Sequence, residues 1–281
     1  MKHLVITGFL FILCVVFSSC NNNLANNKIT EAPELQNNNN VLSSSFQPQL
    51  PSSFDIQFIE EIDVNSFESE VIDLDLFETS EITIEQLHRK NKIVICYFSA
   101  GSWEKWREDA NNFPTEIIGK NYIGWPGEKW LDIRSIDKLT PILRSRFDLC
   151  KQKGFDGAET DNVDGYQNNT GFPLTAEDQL KFNRWLSEQA HLRGLSIGLK
   201  NDPEQIVDLV TDFDWLLLED CYSQDWCHLG KPFIELNKPV FTIEYTDQKI
   251  DFDSACVSAK KIGINVILKN RNLDSYSKTC E

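Results

Sequence analysis

Acidic residues follow apolar, β-branched runs at several points along this chain. Glu159 and Asp161 close the run that starts at Gly154, Glu219 closes Trp215–Glu219, Glu244 sits near the end of Val240–Tyr245, and Asp73 and Asp75 lie in Val71–Phe77. Carboxylates at the ends of buried runs are half-desolvated, which spreads their pKa values and suits one to give a proton while another stays ionised. Alternation along a strand puts Gly157, Glu159 and Asp161 on one face, Ser196, Gly198 and Lys200 on another, Trp215, Leu217 and Glu219 on a third, and Thr242 and Glu244 on a fourth. If these faces point inward, several carboxylates and one lysine converge. Lys200 then either forms an internal ion pair with Glu159 or offers an amine for Schiff-base chemistry. Metal catalysis is poorly supported, because His88 and His191 fall on helical stretches and His228 lies beside Cys227. Asp161 and Asp164 alone are thin evidence for a hard cation. No glycine-rich phosphate loop or G-x-S-x-G elbow is present, so neither a metal nor a cofactor is expected. Tryptophans at loop positions, Trp103, Trp106, Trp125 and Trp130, could stack on a flat ligand or pack loops onto the rim.

Such convergence needs a scaffold. Eight short apolar runs read as strands: Phe54–Ile59, Val71–Phe77, Ile93–Ser99, Gly154–Glu159, Leu195–Leu199, Trp215–Glu219, Val240–Tyr245 and Asn265–Leu268. Helical stretches separate them. One begins with the capping-box pattern Thr175-Ala-Glu-Asp178 and stops at Gly194. Another carries Ile142, Leu143, Phe147 and Cys150 on one face ahead of Gly154. Eight strands with intervening helices predict an α/β fold, a (β/α)8 TIM barrel, whose chemistry gathers at the C-terminal strand ends. The stretch Glu60–Glu70 is too short for a helix and two loops, so the first crossover is expected to be irregular.

The barrel is expected to occupy residues 51–281. Residues 1–19 read as a signal peptide: Lys2, an apolar run from Leu4 to Phe17, then Ser18-Ser19. Phe17-Ser18-Ser19-Cys20 resembles a bacterial lipobox, making Cys20 a lipidated N-terminus and the protein extracytoplasmic, anchored to a membrane. Residues 20–50 contain nine Asn and read as a disordered linker. Six further cysteines in an oxidising compartment suggest disulfides, Cys221–Cys227 from proximity and Cys256–Cys280 next. With 27 Lys and Arg against 43 Asp and Glu, the net charge of −16 argues against nucleic acid and favours a cationic or neutral partner.

The motifs as a set resemble glycoside hydrolase family 114, the endo-α-1,4-polygalactosaminidases. They run in the family's order: Cys96-Tyr-Phe-Ser-Ala-Gly-Ser-Trp-Glu104, Gly124-Trp-Pro-Gly127 with Trp130-Leu-Asp-Ile-Arg134, Gly154-Phe-Asp-Gly157 through Glu159-Thr-Asp-Asn-Val-Asp-Gly165, Gly198-Leu-Lys-Asn201, Glu219-Asp-Cys221 and Ile243-Glu-Tyr245. The resemblance covers roughly 54–281 and implies a barrel that cleaves partly N-acetylated galactosamine polysaccharide within the chain. It puts the catalytic carboxylates on Asp161 and Glu219, places Asp75, Lys200 and Glu244 along the cleft, and includes Trp103, Asp132 and Asn162 in matching motifs. Thr160 stands where the family commonly has Pro, and Trp226 where an acidic residue often precedes the second Cys. The expected mechanism has Glu219, kept neutral by burial, as acid and Asp161 as nucleophile, with retention; the two roles could be exchanged, and a separation of about 6.5–9.5 Å would mean inversion instead. A lipid-anchored glycan-binding protein without turnover is the alternative.

Overall fold

The computed structural model describes residues 53–280. The expected leader (1–19), Cys20 and the linker (20–50) lie outside them. In chain order the strands are β1 (Phe54–Gln57), β2 (Val71–Asp75), β3 (Ile93–Ser99), β4 (Ser102–Glu104), β5 (Ile118–Asn121), β6 (Glu128–Leu131), β7 (Gly157–Asp161), β8 (Ser196–Lys200), β9 (Trp215–Glu219), β10 (Val240–Tyr245), β11 (Asn265–Lys269) and β12 (Ser277–Thr279). The α-helices are α1 (Glu81–His88), α2 (Ile136–Lys153), α3 (Ala176–His191), α4 (Ile206–Leu209), α5 (Lys231–Glu235) and α6 (Phe252–Ile262).

Strands β1, β2, β3, β7, β8, β9, β10 and β11 pair in that order and all in parallel, with β12 antiparallel on β11. These are the eight strands read from the sequence, with ends displaced by no more than three residues. The molecule is a (β/α)8 barrel whose seam lies between β1 and β11. Lys269 Nζ meets Asp55 Oδ1 there at 3.1 Å, and the Phe58 amide donates to the Leu273 carbonyl at 2.8 Å. The first crossover is a turn without a helix, as its length requires. Crossovers of the second half are thin, with α4 only one turn long.

Two apolar layers fix which side chains face inward. Phe54, Ile56, Val71, Ile95, Trp215 and Leu217 fill the barrel with Phe241, Ile243, Tyr245 and Ile267. The other parity, including Ile72, Leu74, Cys96, Phe98, Leu216 and Leu218, packs under the helices. Trp215 claims so much interior that a Cβ on Gly198 would lie 2.3 Å from its ring, so the residue two before Lys200 has to be glycine. The reciprocal Thr175–Asp178 capping box opens α3, and Gly154, at φ 97°, closes α2.

Two features have no counterpart in the sequence reading. Strands β4, β5 and β6 form a separate antiparallel sheet inserted between β3 and α2, and three disulfides are present where two pairings were expected. Cys221–Cys227 and Cys256–Cys280 are joined by Cys96–Cys150, which ties the outer face of β3 to α2. Among the described residues no helix is long and apolar enough to cross a membrane.

Candidate active site

Inward parity places Asp73, Glu159 and Lys200 in the barrel interior just below its C-terminal mouth. All three are buried, Asp73 and Glu159 completely. Lys200 Nζ donates to Glu159 Oε1 at 2.5 Å. Among the described residues the other Glu159 oxygen and both Asp73 oxygens have no other donor, and the two carboxyls face one another. Burial, with the Glu159 charge beside it, pushes Asp73 well above the aspartate range, so it carries the proton that the pair needs. Burial also lowers the proton affinity of Lys200, but the Asp161, Glu159 and Glu219 carboxylates outweigh it and hold the lysine as an ammonium. A Schiff base requires a neutral amine. The internal ion pair is therefore the reading the interior supports.

Above this base the lysine bridges two carboxylates. Lys200 Nζ lies 3.4 Å from Asp161 Oδ1 and 3.4 Å from Glu219 Oε2, so those oxygens are separated by at most twice that distance. Asp161, at the end of β7, also accepts from the Tyr97 hydroxyl at 3.2 Å and from the Asn162 amide at 2.8 Å. Glu219, at the end of β9, accepts from the Tyr245 hydroxyl and from Asn201 Nδ2 at 3.1 Å, while Asn201 Oδ1 takes its backbone amide at 2.9 Å. The two side chains keep 20 % and 25 % of their surface open to the cleft. Burial raises Glu219, but Lys200, Tyr245 and Asn201 together hold it below the ordinary glutamate value. The sequence-based expectation that burial leaves Glu219 neutral is thus corrected for the unliganded site: its polar partners win over desolvation.

The cleft over this pair encloses about 390 Å³. Its walls carry seven carboxylates against Arg107, Lys200 and Arg271. Both arginines are already engaged. Arg107 clamps Asp75 with two hydrogen bonds of 2.9 and 2.7 Å and Glu104 with one of 2.8 Å, and Arg271 pairs with Asp220 and Asp247. The insertion supplies Glu128, which accepts from Ser102 and from Asn162 Nδ2 at 2.9 Å. Burial, opposed by the Ser102 bond and assisted by Asp161, lifts Glu128 to about 7. Burial and Asp161 lift Asp164 to about 6. Trp106 and Trp125, about half exposed, line the outer wall.

The remaining expected residues divide. Asp75, Asn162 and Lys200 line the cleft with Asp161 and Glu219. Asn162, at φ 62°, turns the chain after Asp161 and ties β7 to Glu128 of the insertion. The backbone of Gly101 packs so closely against it that a Cβ would fall 1.7 Å from the Asn162 carbonyl oxygen. Trp103, Asp132 and Glu244 stand off the cleft wall. Trp103 donates Nε1 to the Ala110 carbonyl at 3.0 Å and packs on the core. Asp132 is clamped by Arg134 at the entrance to α2. The expected inward face of Thr242 and Glu244 is reversed, because Phe241, Ile243 and Tyr245 fill the interior. Glu244 instead accepts the Tyr222 and Ser223 amides at 2.7 and 3.1 Å, fixing the loop that follows Glu219. The sequence reading missed Tyr97, Glu128, Asn201 and Tyr245. Tyr97 shares the parity of Ile93 and Ile95, and Tyr245 that of Phe241 and Ile243, so strand alternation was the available signal for both. Cys221, Cys227 and Glu244 come within metal-binding range of one another, but the two sulfurs are bonded together and offer no thiolate.

Known proteins resemble this chain in sequence and fold. The model of glycoside-hydrolase family GH114 matches residues 35–281. The crystal structure of Aspergillus fumigatus Ega3 in complex with galactosamine is 35 % identical with a TM-score of 0.80, covering 85 % of this chain and 98 % of that one. The glycoside hydrolase domain of PelA from Pseudomonas aeruginosa shares the fold at 14 % identity and a TM-score of 0.65, covering 82 % and 99 % of the two chains. An uncharacterized protein of Deinococcus radiodurans is 24 % identical over 209 residues, and the match spans 64 % of this chain and 65 % of that relative's length. A match across nearly the whole barrel makes this chain a member of glycoside-hydrolase family GH114, and hence a glycosidase.

Proposed function

We propose that the protein hydrolyses α-1,4-linked galactosamine-containing polysaccharide with Asp161 as nucleophile and Glu219 as general acid and base. The observation that carries this reading is the pair of carboxylates bridged by Lys200 at 3.4 Å on each side, beneath a cleft rich in unneutralised acid. Retaining glycosidases hold the two carboxyls about 5–5.5 Å apart and inverting ones about 6.5–9.5 Å. The shared lysine, 3.4 Å from each, keeps the nearest oxygens within twice that distance, a bound that admits the shorter class assigned here. In the first step an Asp161 oxygen attacks the anomeric carbon, the glycosidic C–O bond breaks, and the leaving oxygen takes the proton from Glu219. In the second, Glu219 takes a proton from water, whose oxygen displaces Asp161. The proton on Glu219 arrives with substrate: a sugar covering the open quarter of the side chain removes solvent and raises its pKa.

The complex of Ega3 with galactosamine, at 35 % identity, supports an amino sugar, as does the acidic wall, which favours ammonium groups. Lipidation at Cys20, holding the barrel outside a bacterial membrane, belongs to the same proposal. The test is reducing-end release from purified polygalactosamine, with chitosan as control. Asp161→Asn and Glu219→Gln are each expected to lose at least about 10³-fold in kcat while melting normally. Full activity in both variants, or binding without any release by the wild type, rejects the reading. The second outcome favours a non-catalytic glycan-binding protein.

A further inference from the structure

Beside the catalytic cleft lies a second depression of about 480 Å³, between the β5–β6 hairpin and the turn holding Asn168 and Asn169. Tyr122 lines both spaces. Its ring lies against Trp130, centroids 4.6 Å apart and planes 35° from parallel, so an aromatic surface runs from one space into the other. A polymer leaving the cleft over Tyr122 enters this depression.

The chemistry of the two spaces is opposite. Among the described residues the cleft has seven carboxylates, whereas the depression has none and Lys120 is the only charged residue that lines it. Lys120 Nζ is anchored on Asn169 Oδ1 at 2.7 Å, which leaves the Asn169 amide nitrogen free to donate. Asn168 Nδ2 is spent on the Asp164 carbonyl at 3.2 Å, which leaves its side-chain oxygen free to accept. Ile123, 91 % exposed, offers an apolar surface at the hairpin tip with no core to pack on.

We propose that this depression is a distal sugar site for an N-acetylated residue of the polymer whose amino sugars enter the cleft; the proposal rests on the reading given under Proposed function. An N-acetyl group presents an amide N–H, a carbonyl and a methyl. Asn168 accepts the first, Asn169 donates to the second, Ile123 covers the third, and Tyr122 carries the sugar face. A free amino sugar arrives there as an ammonium, facing Lys120 with no carboxylate to pair with. The enzyme accordingly reads a mixed polymer, cationic where it is cut and neutral a few residues away.

The experiment compares kcat/KM of the full-length protein on fully deacetylated polygalactosamine and on the same polymer partly re-acetylated, with a short deacetylated oligomer that fills only the cleft. The wild type is expected to favour the re-acetylated polymer. Lys120→Glu is expected to shift that preference by about fivefold toward the deacetylated polymer, the reach of one exposed charge. Turnover of the short oligomer stays unchanged. A polymer preference that ignores Lys120→Glu, or a change shared equally by the short oligomer, overturns the proposal. If the wild type cuts no galactosamine polymer, the catalytic reading fails by itself. The distal site is then judged by titrating N-acetylated and deacetylated galactosamine tetrasaccharides into wild type and Lys120→Glu while following tryptophan fluorescence. Preference for the acetylated probe that the variant reverses upholds the site, and equal affinities reject it.

Discussion

Replacing Lys200 by methionine tests the arrangement most directly, because one ammonium serves three carboxylates. Methionine keeps much of the side chain's bulk and removes its charge. Glu159, wholly buried, then loses its only donor among the described residues apart from the proton on Asp73. Breaking a buried ion pair by removing one partner costs about 3–5 kcal/mol. In a domain of this size that is a fall in melting temperature of roughly 10 °C. The pH dependence follows from Glu159. Burial already raises its pKa, and Lys200 is the main influence opposing that rise, so removing the lysine raises it further. A carboxyl whose folded pKa exceeds its unfolded value costs nothing below the unfolded value, and the cost grows as pH climbs through the folded one. The variant should therefore match wild type near pH 4 and fall behind as pH rises toward neutrality. Adding Glu159→Gln removes the stranded charge and should recover most of the lost stability, but not activity, because Asp161 and Glu219 still lack their shared cation. Thermal melts across pH for the four proteins of this double-mutant cycle, with activity alongside, decide it. A double variant no more stable than Lys200→Met alone, or a deficit independent of pH, refutes the coupling.

Asp202, buried beside Asp164, is raised to about 8 by burial first and by that neighbour next. Asp202→Asn should accordingly gain a few kcal/mol over wild type in denaturant melts at pH 9 and nothing at pH 4, and an equal gain at both pH values would contradict this. It also suits the left-handed backbone there, φ 52°. The depressed Glu219 in the free enzyme places the basic limb of kcat/KM below that of kcat, which reports the substrate complex; coincident limbs in initial-rate profiles would remove the case for substrate-induced protonation. Replacing Cys96 and Cys150 by alanine should cost about 2–4 kcal/mol in urea unfolding, since the bridge spans 54 positions, and a change under ~1 kcal/mol would show that packing already fixes α2 on β3.

The barrel was legible because most of its eight strands are apolar-rich runs buried on both faces, the pattern that parallel sheets impose, although Asp73 breaks the run in β2 and β7 reads Gly-Ala-Glu-Thr-Asp. The insertion was not, for the opposite reason. Ser102-Trp-Glu104 and Ile118-Gly-Lys-Asn121 are short, polar and without alternation, and they are strands only because they pair with β6. With the insertion went Glu128, whose place in the cleft depends on a tertiary contact through Asn162. The face of β10 was misjudged from its acid rather than its bulk. Val240, Thr242 and Glu244 alternate with Phe241, Ile243 and Tyr245, and the larger, more apolar set takes the interior. Charge convergence at Asp161, Glu219 and Lys200 followed from parity alone, whereas the ionised state of Glu219 depends on Lys200 and also on Tyr245, at the end of β10, and Asn201, just past the end of β8.

The charge pattern of the cleft explains why an amino sugar suits it better than a neutral one. Arg107 and Arg271 spend their guanidinium groups on Asp75, Glu104, Asp220 and Asp247, and Lys200 is buried beneath Asp161 and Glu219. Glu128 and Asp164 have no ion-pair partner among the described residues, and burial, with the Asp161 charge beside them, raises them to about 7 and about 6. A neutral sugar would displace water from these groups and return hydroxyl hydrogen bonds but no counter-charge. An ammonium arriving at the same wall supplies the missing counter-charge, lets both carboxyls ionise, and draws its affinity from a deficit already present in the free protein.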